Sequence, residues 1–260
     1  MCLCQYVSKK WNLKDKISFR TFAIKKAKVL SFGKKKKSFL CFALNFSYLC
    51  SRMDDKKYLQ RLINEGEHQQ QDFKYRVSDA LKLAKSVSAF ANTDGGRLLI
   101  GVRDDGQMSG VRSEEEIYMM HQAAYRYCRP EASIKFDTFH IEGRTIVIAT
   151  VPPSDKRPVC VVNADDKPRS YIRIADENIV ASPVHLALWR ESQKPQGSVL
   201  TYNDDMRKLL NIMQGRQTLN QIVRQAKLPR PKVVALLARL IRFGTVKWEY
   251  ADQQFYFSLT

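Results

Sequence analysis

The fold is decided by a stretch in the first half of the chain, Leu83-Ala-Lys-Ser-Val-Ser-Ala-Phe-Ala-Asn-Thr-Asp-Gly-Gly96. Apolar residues recur at helical spacing through it, which predicts a helix with one buried face over residues 78–92 and Ser78 as its N-cap. Asn92-Thr-Asp-Gly-Gly96 ends the helix with turn residues. The apolar run at residues 97–102 then has the length of a buried strand. We therefore expect a helix, a tight turn and a strand in direct succession.

Further elements are predicted on both sides of this unit. They are an amphipathic helix at 54–64, a polar extended stretch at 67–74, a helix opened by the capping box Ser113-Glu-Glu-Glu116, and two strand pairs at 134–141 with 145–151 and at 159–162 with 169–174. The central block, residues 53–189, is therefore predicted to be α+β, with a mixed or antiparallel sheet and two packed helices.

The C-terminal residues follow a different pattern. Helical spacing covers residues 205–213, 218–227 and 231–243, and two short aromatic strands follow at 245–250 and 254–259. Three helices and a hairpin in this order predict a winged helix-turn-helix domain over residues 203–260, whose third helix can enter a DNA major groove. Residues 190–202 are polar with Pro and Gly, which is typical of a linker.

Charge is distributed unevenly between these blocks. The formal net charge of +18 divides into +12 for residues 1–52, zero for 53–202 and +6 for 203–260. Five cations lie on or just before the third helix of the C-terminal domain, namely Lys227, Arg230, Lys232, Arg239 and Arg242. We expect them to contact DNA or RNA phosphates. The alternative is that this domain docks proteins and its charged face is only solvated.

The basic head, residues 1–52, has three interpretations. Residues 34–37 are four lysines followed by an apolar stretch, as in a signal peptide, but that stretch begins more than thirty residues in, contains Asn45 and lacks a cleavage site. A second interpretation is a polybasic tail for nucleic acid or membrane. The interpretation we favour is that translation begins at Met53 and that residues 1–52 are a non-native or disordered extension. Six scattered cysteines make no disulfide scaffold, so we expect a reduced, cytoplasmic protein without a membrane partner.

The central block resembles a known family. Glu67 to Lys74, the stretch from Leu83 to Gly96, Leu99-Ile-Gly-Val-Arg-Asp104 and Ser170-Tyr-Ile-Arg-Ile174 carry the resemblance. Over residues 56–183 the chain resembles the bacterial Schlafen AlbA-type domain, once called a divergent AAA domain. A winged helix often follows this domain in the family. The resemblance implies a nucleic-acid-binding protein, described in the family as a transcriptional regulator and in some members as ATP-binding.

The resemblance also implies a set of site residues. Animal Schlafen proteins use a paired version of this fold to cut transfer RNA with three carboxylates, which correspond here to Glu67, Asp72 and Asp104, and the family lysine corresponds to Lys74. Such a trio would hold Mg²⁺ or Mn²⁺, and Lys74 would hold a phosphate oxygen. Asp72 stands where Glu is usual. The chain has one such lobe, which a homodimer would double.

Three function classes follow from these observations. The first is a nucleic-acid-binding regulator in a transcriptional or defence setting, and it is the class we favour. The second is a metal-dependent RNA endonuclease acting on transfer RNA. The third is a protein-interaction adaptor or an ATP-binding protein, and ATP is disfavoured because no Gly-x-x-x-x-Gly-Lys-Ser/Thr loop is present.

Overall fold

The computed structural model describes residues 54–111, 114–163, 166–193 and 202–260. The basic head and Ser113, the expected start of a capping box, lie outside these ranges. Residues 59–260 form one compact unit. Within the described ranges, no helix combines the length and the apolar character needed to cross a bilayer.

Helices and strands are mixed along the chain, which confirms the α+β class. In chain order they are α1 (54–65), β1 (Gln71–Lys74), α2 (Ala80–Asn92), β2 (Gly96–Ile100), α3 (Glu114–Tyr125), β3 (Cys128–Arg129), β4 (Lys135–Ile141), β5 (Arg144–Val151), β6 (Cys160–Asn163), β7 (Asp166–Ile174), β8 (Glu177–Val180), α4 (Pro183–Ser192), α5 (Asp204–Ile212), β9 (Gln217–Thr218), α6 (Leu219–Ala226), α7 (Arg230–Arg242), β10 (Val246–Ala251) and β11 (Gln254–Leu259).

Within the described ranges, the strands form three sheets. The first has the order β1-β2-β5-β4, in which β1 and β2 are parallel and the other pairs antiparallel. The second is antiparallel with the order β3-β6-β7-β8, and the third is the C-terminal sheet β10-β11-β9. The two strand pairs expected from the sequence therefore belong to different sheets. Neither β8 nor α4 is among the expected elements, because a short polar strand and a helix that starts at Pro183 give weak periodicity.

The strand β2, in the interior of the first sheet, is covered on both faces. On one face, Leu98 and Ile100 pack with α2, while on the other Leu99 packs with Leu59 and Leu62 of α1. A strand covered on both sides has a continuous apolar sequence, which is why β2 can be predicted without alternation. The helix α2 begins later than expected, because Asp79 caps it in place of Ser78, with its carboxylate accepting two backbone N–H groups.

The end of α2 is tied to the second sheet by Asn92. This side chain is 3% exposed, donates through Nδ2 to the carbonyls of Val159 and Tyr171 at 2.9 Å, and accepts the Val159 N–H at 2.8 Å. One turn earlier, the Ser88 hydroxyl donates to the Val159 carbonyl and accepts the Tyr171 N–H. Helix and sheet are thus joined by side chains that satisfy buried backbone groups.

The two glycines after Asn92 are required by close packing. Gly95 has a φ of +73°, and a Cβ there would lie 2.8 Å from the Pro153 ring and 2.9 Å from the Val151 carbonyl. A Cβ on Gly96 would overlap the ring of Phe90. The turn therefore brings β2 back against α2 only with glycine at both positions.

Replacing Asn92 tests this connection. Asn92→Ala leaves the buried Val159 N–H and Tyr171 carbonyl without their side-chain partner, so we expect the free energy of unfolding to fall by at least about 3 kcal/mol. Urea denaturation measures the change. The matched control is Asn64→Ala, which removes an exposed helical asparagine whose side chain also makes a hydrogen bond, and its effect should stay within about 0.5 kcal/mol. An equal effect of the two variants would contradict the structural role of Asn92.

The C-terminal domain packs on the rest of the chain through α4. Val184 lies in its core with Leu237 and Phe257, while Trp189 packs with Trp248 and Phe255 beside the second sheet. The first three residues of the expected linker, 190–192, belong to α4, and residues 194–201 lie outside the described ranges. The helix α4 therefore packs both with the core of the C-terminal domain and with residues of the second sheet.

A buried histidine lies at the centre of this packing. His185 is 4% exposed, and its ring lies 4.6 Å from that of Trp248 and 4.7 Å from that of Phe255. Its Nδ1 accepts the backbone N–H of Ser182, the N-cap of α4, and lies 2.7 Å from the Ser182 hydroxyl. Burial lowers the pKa of His185 to about 4, because charging the ring would place a cation among aromatic side chains.

The buried histidine makes stability depend on pH. Because the pKa of His185 is lower in the folded protein, the unfolded chain binds the proton first as the pH falls. The contribution of neutral His185 to the stability of the folded protein is therefore complete above pH 6.5 and is lost as the pH falls towards 4. We expect this group to remove about 3 kcal/mol over that interval. His185→Phe should flatten the dependence, whereas His140→Phe at an exposed position should not. Urea denaturation at a series of pH values measures both, and parallel profiles for wild type and His185→Phe would contradict the assignment.

Candidate nucleic-acid interface

Two of the expected acidic residues lie together at β1. Asp72 is 4% exposed, and the Glu67 carboxylate lies beside it and accepts the Phe73 N–H at 2.8 Å. Partial burial and the hydrogen bond to Asp72 raise the pKa of Glu67 above its ordinary value. The Lys74 ammonium lies 2.7 Å from Asp72 Oδ2. The structure therefore brings Glu67, Asp72 and Lys74 into one cluster.

A second cation, which is not among the expected site residues, completes this cluster. Arg173 of β7 is 2% exposed, with one terminal nitrogen 3.5 Å from Asp72 Oδ1 and donating to the Gln71 carbonyl at 3.2 Å. Its other terminal nitrogen donates to Asn178 Oδ1. The signal in the sequence is an arginine that directly follows Tyr171 and Ile172 near the end of β7. Asp72 is thus a buried anion with two cations, an arrangement that compensates its desolvation.

The third expected acid is not part of the cluster. Asp104 is exposed in the turn after β2, and among the described residues no three His, Cys, Asp or Glu side chains come close enough to hold a metal ion. Mg²⁺ needs several oxygen ligands, whereas the Asp72 carboxylate already contacts Lys74 and Arg173. The side chains as arranged do not fit the metal centre that the resemblance implies, and we derive no reaction step through one.

The buried ion pair has a consequence for stability. Arg173→Met would leave Asp72 buried with Lys74 alone, so we expect a loss of about 3 kcal/mol in the free energy of unfolding. The double variant Asp72→Asn/Arg173→Met should recover part of that loss, because it removes the buried charge itself. Arg169→Met, at an exposed position on the same strand, serves as the control and should change stability by no more than about 0.5 kcal/mol. Urea denaturation gives all three values, and equal losses for Arg173→Met and the control would refute the pairing.

Four of the five cations expected to contact nucleic acid lie around the start and one side of α7. Lys227 is exposed in the turn before the helix, in the left-handed conformation with a φ of 51°. Arg230 is exposed at the first turn and donates to Asn220 Oδ1 at 2.6 Å. Lys232 is also exposed and pairs with Asp205 at 2.6 Å, while Arg239 is half-buried further along the helix.

The fifth expected cation is directed elsewhere. The Arg242 side chain is 16% exposed, and its guanidinium lies 4.0 Å from Glu191 of α4. The same helix α4 packs along one side of α7, leaving a groove of about 380 Å³ that Pro183, Leu186, Arg190, Arg230 and Val234 help to line. Of the five expected cations, those open to solvent are therefore Lys227, Arg230, Lys232 and, in part, Arg239.

The wing, which is the hairpin of β10 and β11, carries balanced charge together with Arg216. Arg216 lies with its guanidinium 4.1 Å from the centre of the Tyr256 ring and pairs with Glu249 at 3.1 Å and Asp252 at 3.0 Å. The exposed Lys247 lies on β10. Most of the unbalanced positive charge of this domain is consequently on the side of α7 rather than on the hairpin.

Comparison with known protein families gives two matches. Residues 67–182 match the family model described as Schlafen, AlbA_2, and residues 210–249 match the model described as RNA polymerase III subunit RPC82 helix-turn-helix domain. This pair of domains indicates nucleic-acid binding. None of the curated proteins matches the chain in sequence.

Two solved structures are similar to the chain. The DIP2311 protein from Corynebacterium diphtheriae shares 18% identity at a TM-score of 0.40, over 65% of this chain and 32% of its own. The N-terminal domain of a putative ATP-dependent DNA helicase RecG-related protein from Nitrosomonas europaea shares 22% identity at a TM-score of 0.34, over 56% of this chain and 95% of its own. The chain thus spans about a third of the length of the first.

Proposed function

From a chain that carries a Schlafen AlbA_2 domain followed by a helix-turn-helix domain, we propose a nucleic-acid-binding regulatory protein of the cytoplasm whose α7 cations contact backbone phosphates. The observation that carries the proposal is the +6 of residues 203–260 together with the exposure of Lys227, Arg230 and Lys232 around one helix start. Phosphate contacts of this kind give affinity that falls with salt and is largely independent of sequence.

The geometry supports α7 as the contacting helix. Its N-terminal turn is the part of a recognition helix that meets base edges in helix-turn-helix complexes, and Arg230 lies there without a carboxylate within ion-pair distance among the described residues. Asp205 holds Lys232 at the edge of this surface, so that Lys232 would exchange a protein carboxylate for a phosphate on binding. The helix α4 restricts the approach to the side of α7 that it leaves open.

Neutralising two of these cations tests the proposal. We expect Arg230→Ala/Arg239→Ala to weaken binding of a mixed-sequence DNA duplex and of unfractionated transfer RNA. The slope of log affinity against log salt should also fall, by about 1 for each phosphate that the variant no longer neutralises. Fluorescence anisotropy across a salt series measures both quantities.

The control for that experiment is Lys82→Ala/Lys135→Ala, which removes the same charge from exposed positions outside the C-terminal domain and should leave the slope unchanged. If the α7 variant binds as tightly as wild type with the same salt slope, the helix does not contact nucleic acid and the adaptor class replaces the proposal. The same samples incubated with Mn²⁺ test the endonuclease class. Cleavage of transfer RNA that Asp104→Ala abolishes would overturn a binding-only function.

A further inference from the structure

A polar pocket of about 250 Å³ lies on the AlbA_2 domain, well apart in sequence from the α7 cations. It is formed where β1 and β2 end, by Tyr75, Arg103, Gln107, Met108, Ser109 and Arg144. The loop after β2 is held in shape by its own backbone, since Arg103 N–H donates to the Gln107 carbonyl and Val102 bridges to Met108.

Two guanidinium groups in the pocket are anchored to this loop. Arg103 donates through Nε to the Ser109 hydroxyl at 2.9 Å, and Arg144 donates through one terminal nitrogen to the Met108 carbonyl at 2.7 Å. Each arginine has five N–H donors, so each anchor leaves several donors available. Within the described ranges no carboxylate lies within 4.0 Å of either group. Such anchoring reduces the entropy lost when an arginine binds a phosphate.

An aromatic ring packs against one of these groups. The Arg103 guanidinium lies 4.7 Å from the centre of the Tyr75 ring, and that of Arg76 lies 5.1 Å from it. Planes of arginine and aromatic side chains next to phosphate-binding donors are the surfaces on which unpaired bases stack. Asp104 and Asp105 in the same loop leave a local charge of +1 when Arg76 is counted with Arg103 and Arg144, and neither acid pairs with Arg103 or Arg144.

We propose that this pocket binds a backbone phosphate of a single-stranded nucleic acid, with the adjacent base against the Tyr75 and Arg103 side chains. The proposal deepens the proposed function and rests on it. The volume favours a polymer over a free nucleotide, because sites that enclose a whole small ligand are about 300–1,000 Å³ and this pocket is smaller. One phosphate of the nucleic acid would lie in the pocket, and the rest of the nucleic-acid strand would continue over the protein surface.

The test uses the double variant Arg103→Ala/Arg144→Ala in the full chain. We expect its affinity for a fluorescein-labelled single-stranded oligonucleotide of mixed sequence to fall about tenfold or more, and its salt slope to fall by about 0.7, the value for one phosphate on a single strand. The control is Arg126→Ala/Arg129→Ala, which removes an arginine packed against Tyr127 and one anchored to backbone carbonyls, neither of which lines the pocket. It should bind as wild type does, and melting curves should show all three proteins folded.

Separate outcomes distinguish this inference from the proposed function. Unchanged single-strand binding in the pocket variant, combined with weakened binding in Arg230→Ala/Arg239→Ala, would overturn the pocket and leave the function standing. Unchanged binding in both variants would overturn both. ATP is the third probe: if it stabilises the wild type in a thermal shift assay and this effect is absent from the pocket variant, the ligand is a free nucleotide and the polymer assignment is wrong.

Discussion

The buried amide of Asn92 joins α2, the central helix of the AlbA_2 domain, to the second sheet. Its donors and its acceptor satisfy buried backbone groups of Val159 and Tyr171. The first sheet is fixed to the same helix by contact between Gly96 and Phe90. Because both sheets are positioned from one helix, the strands that carry Asp72 and Arg173 meet as a result. The position of the cluster formed by Glu67, Asp72, Lys74 and Arg173 therefore follows from this arrangement.

Local features of the fold are accessible from the sequence, and non-local ones are not. The apolar spacing of α2 and the turn residues after it act over a few positions, so the sequence predicts both correctly. The division of strands β1 to β8 into two sheets depends on pairing between distant segments, which periodicity does not report. The helix α4 escapes prediction because Pro183 is typical of a helix breaker, although Ser182 followed by proline is a favoured way for a helix to begin.

The candidate site divides in the same way. Local clustering predicts the cations around α7, and the structure leaves all but Arg242 at least partly open. The acidic trio comes from the resemblance, and its members meet only in part, since Asp104 lies in a separate turn. Arg173 follows two apolar residues of β7, but its partner lies about a hundred positions earlier in the chain, and no local pattern identifies it.

The position of α4 affects how such domains can be recombined. Val184 and Trp189 lie on one helix between the two matched domains. Together they pack with residues of both the AlbA_2 domain and the helix-turn-helix domain. A fusion point after α4 would leave this helix with the AlbA_2 domain, and the C-terminal domain would lose the apolar contact of Val184. A splice placed before Pro183 would expose Ile172 and its neighbours instead. The two domains therefore cannot be exchanged independently of each other. A chimera between relatives has to retain an α4 whose Trp189 packs with matching aromatic residues.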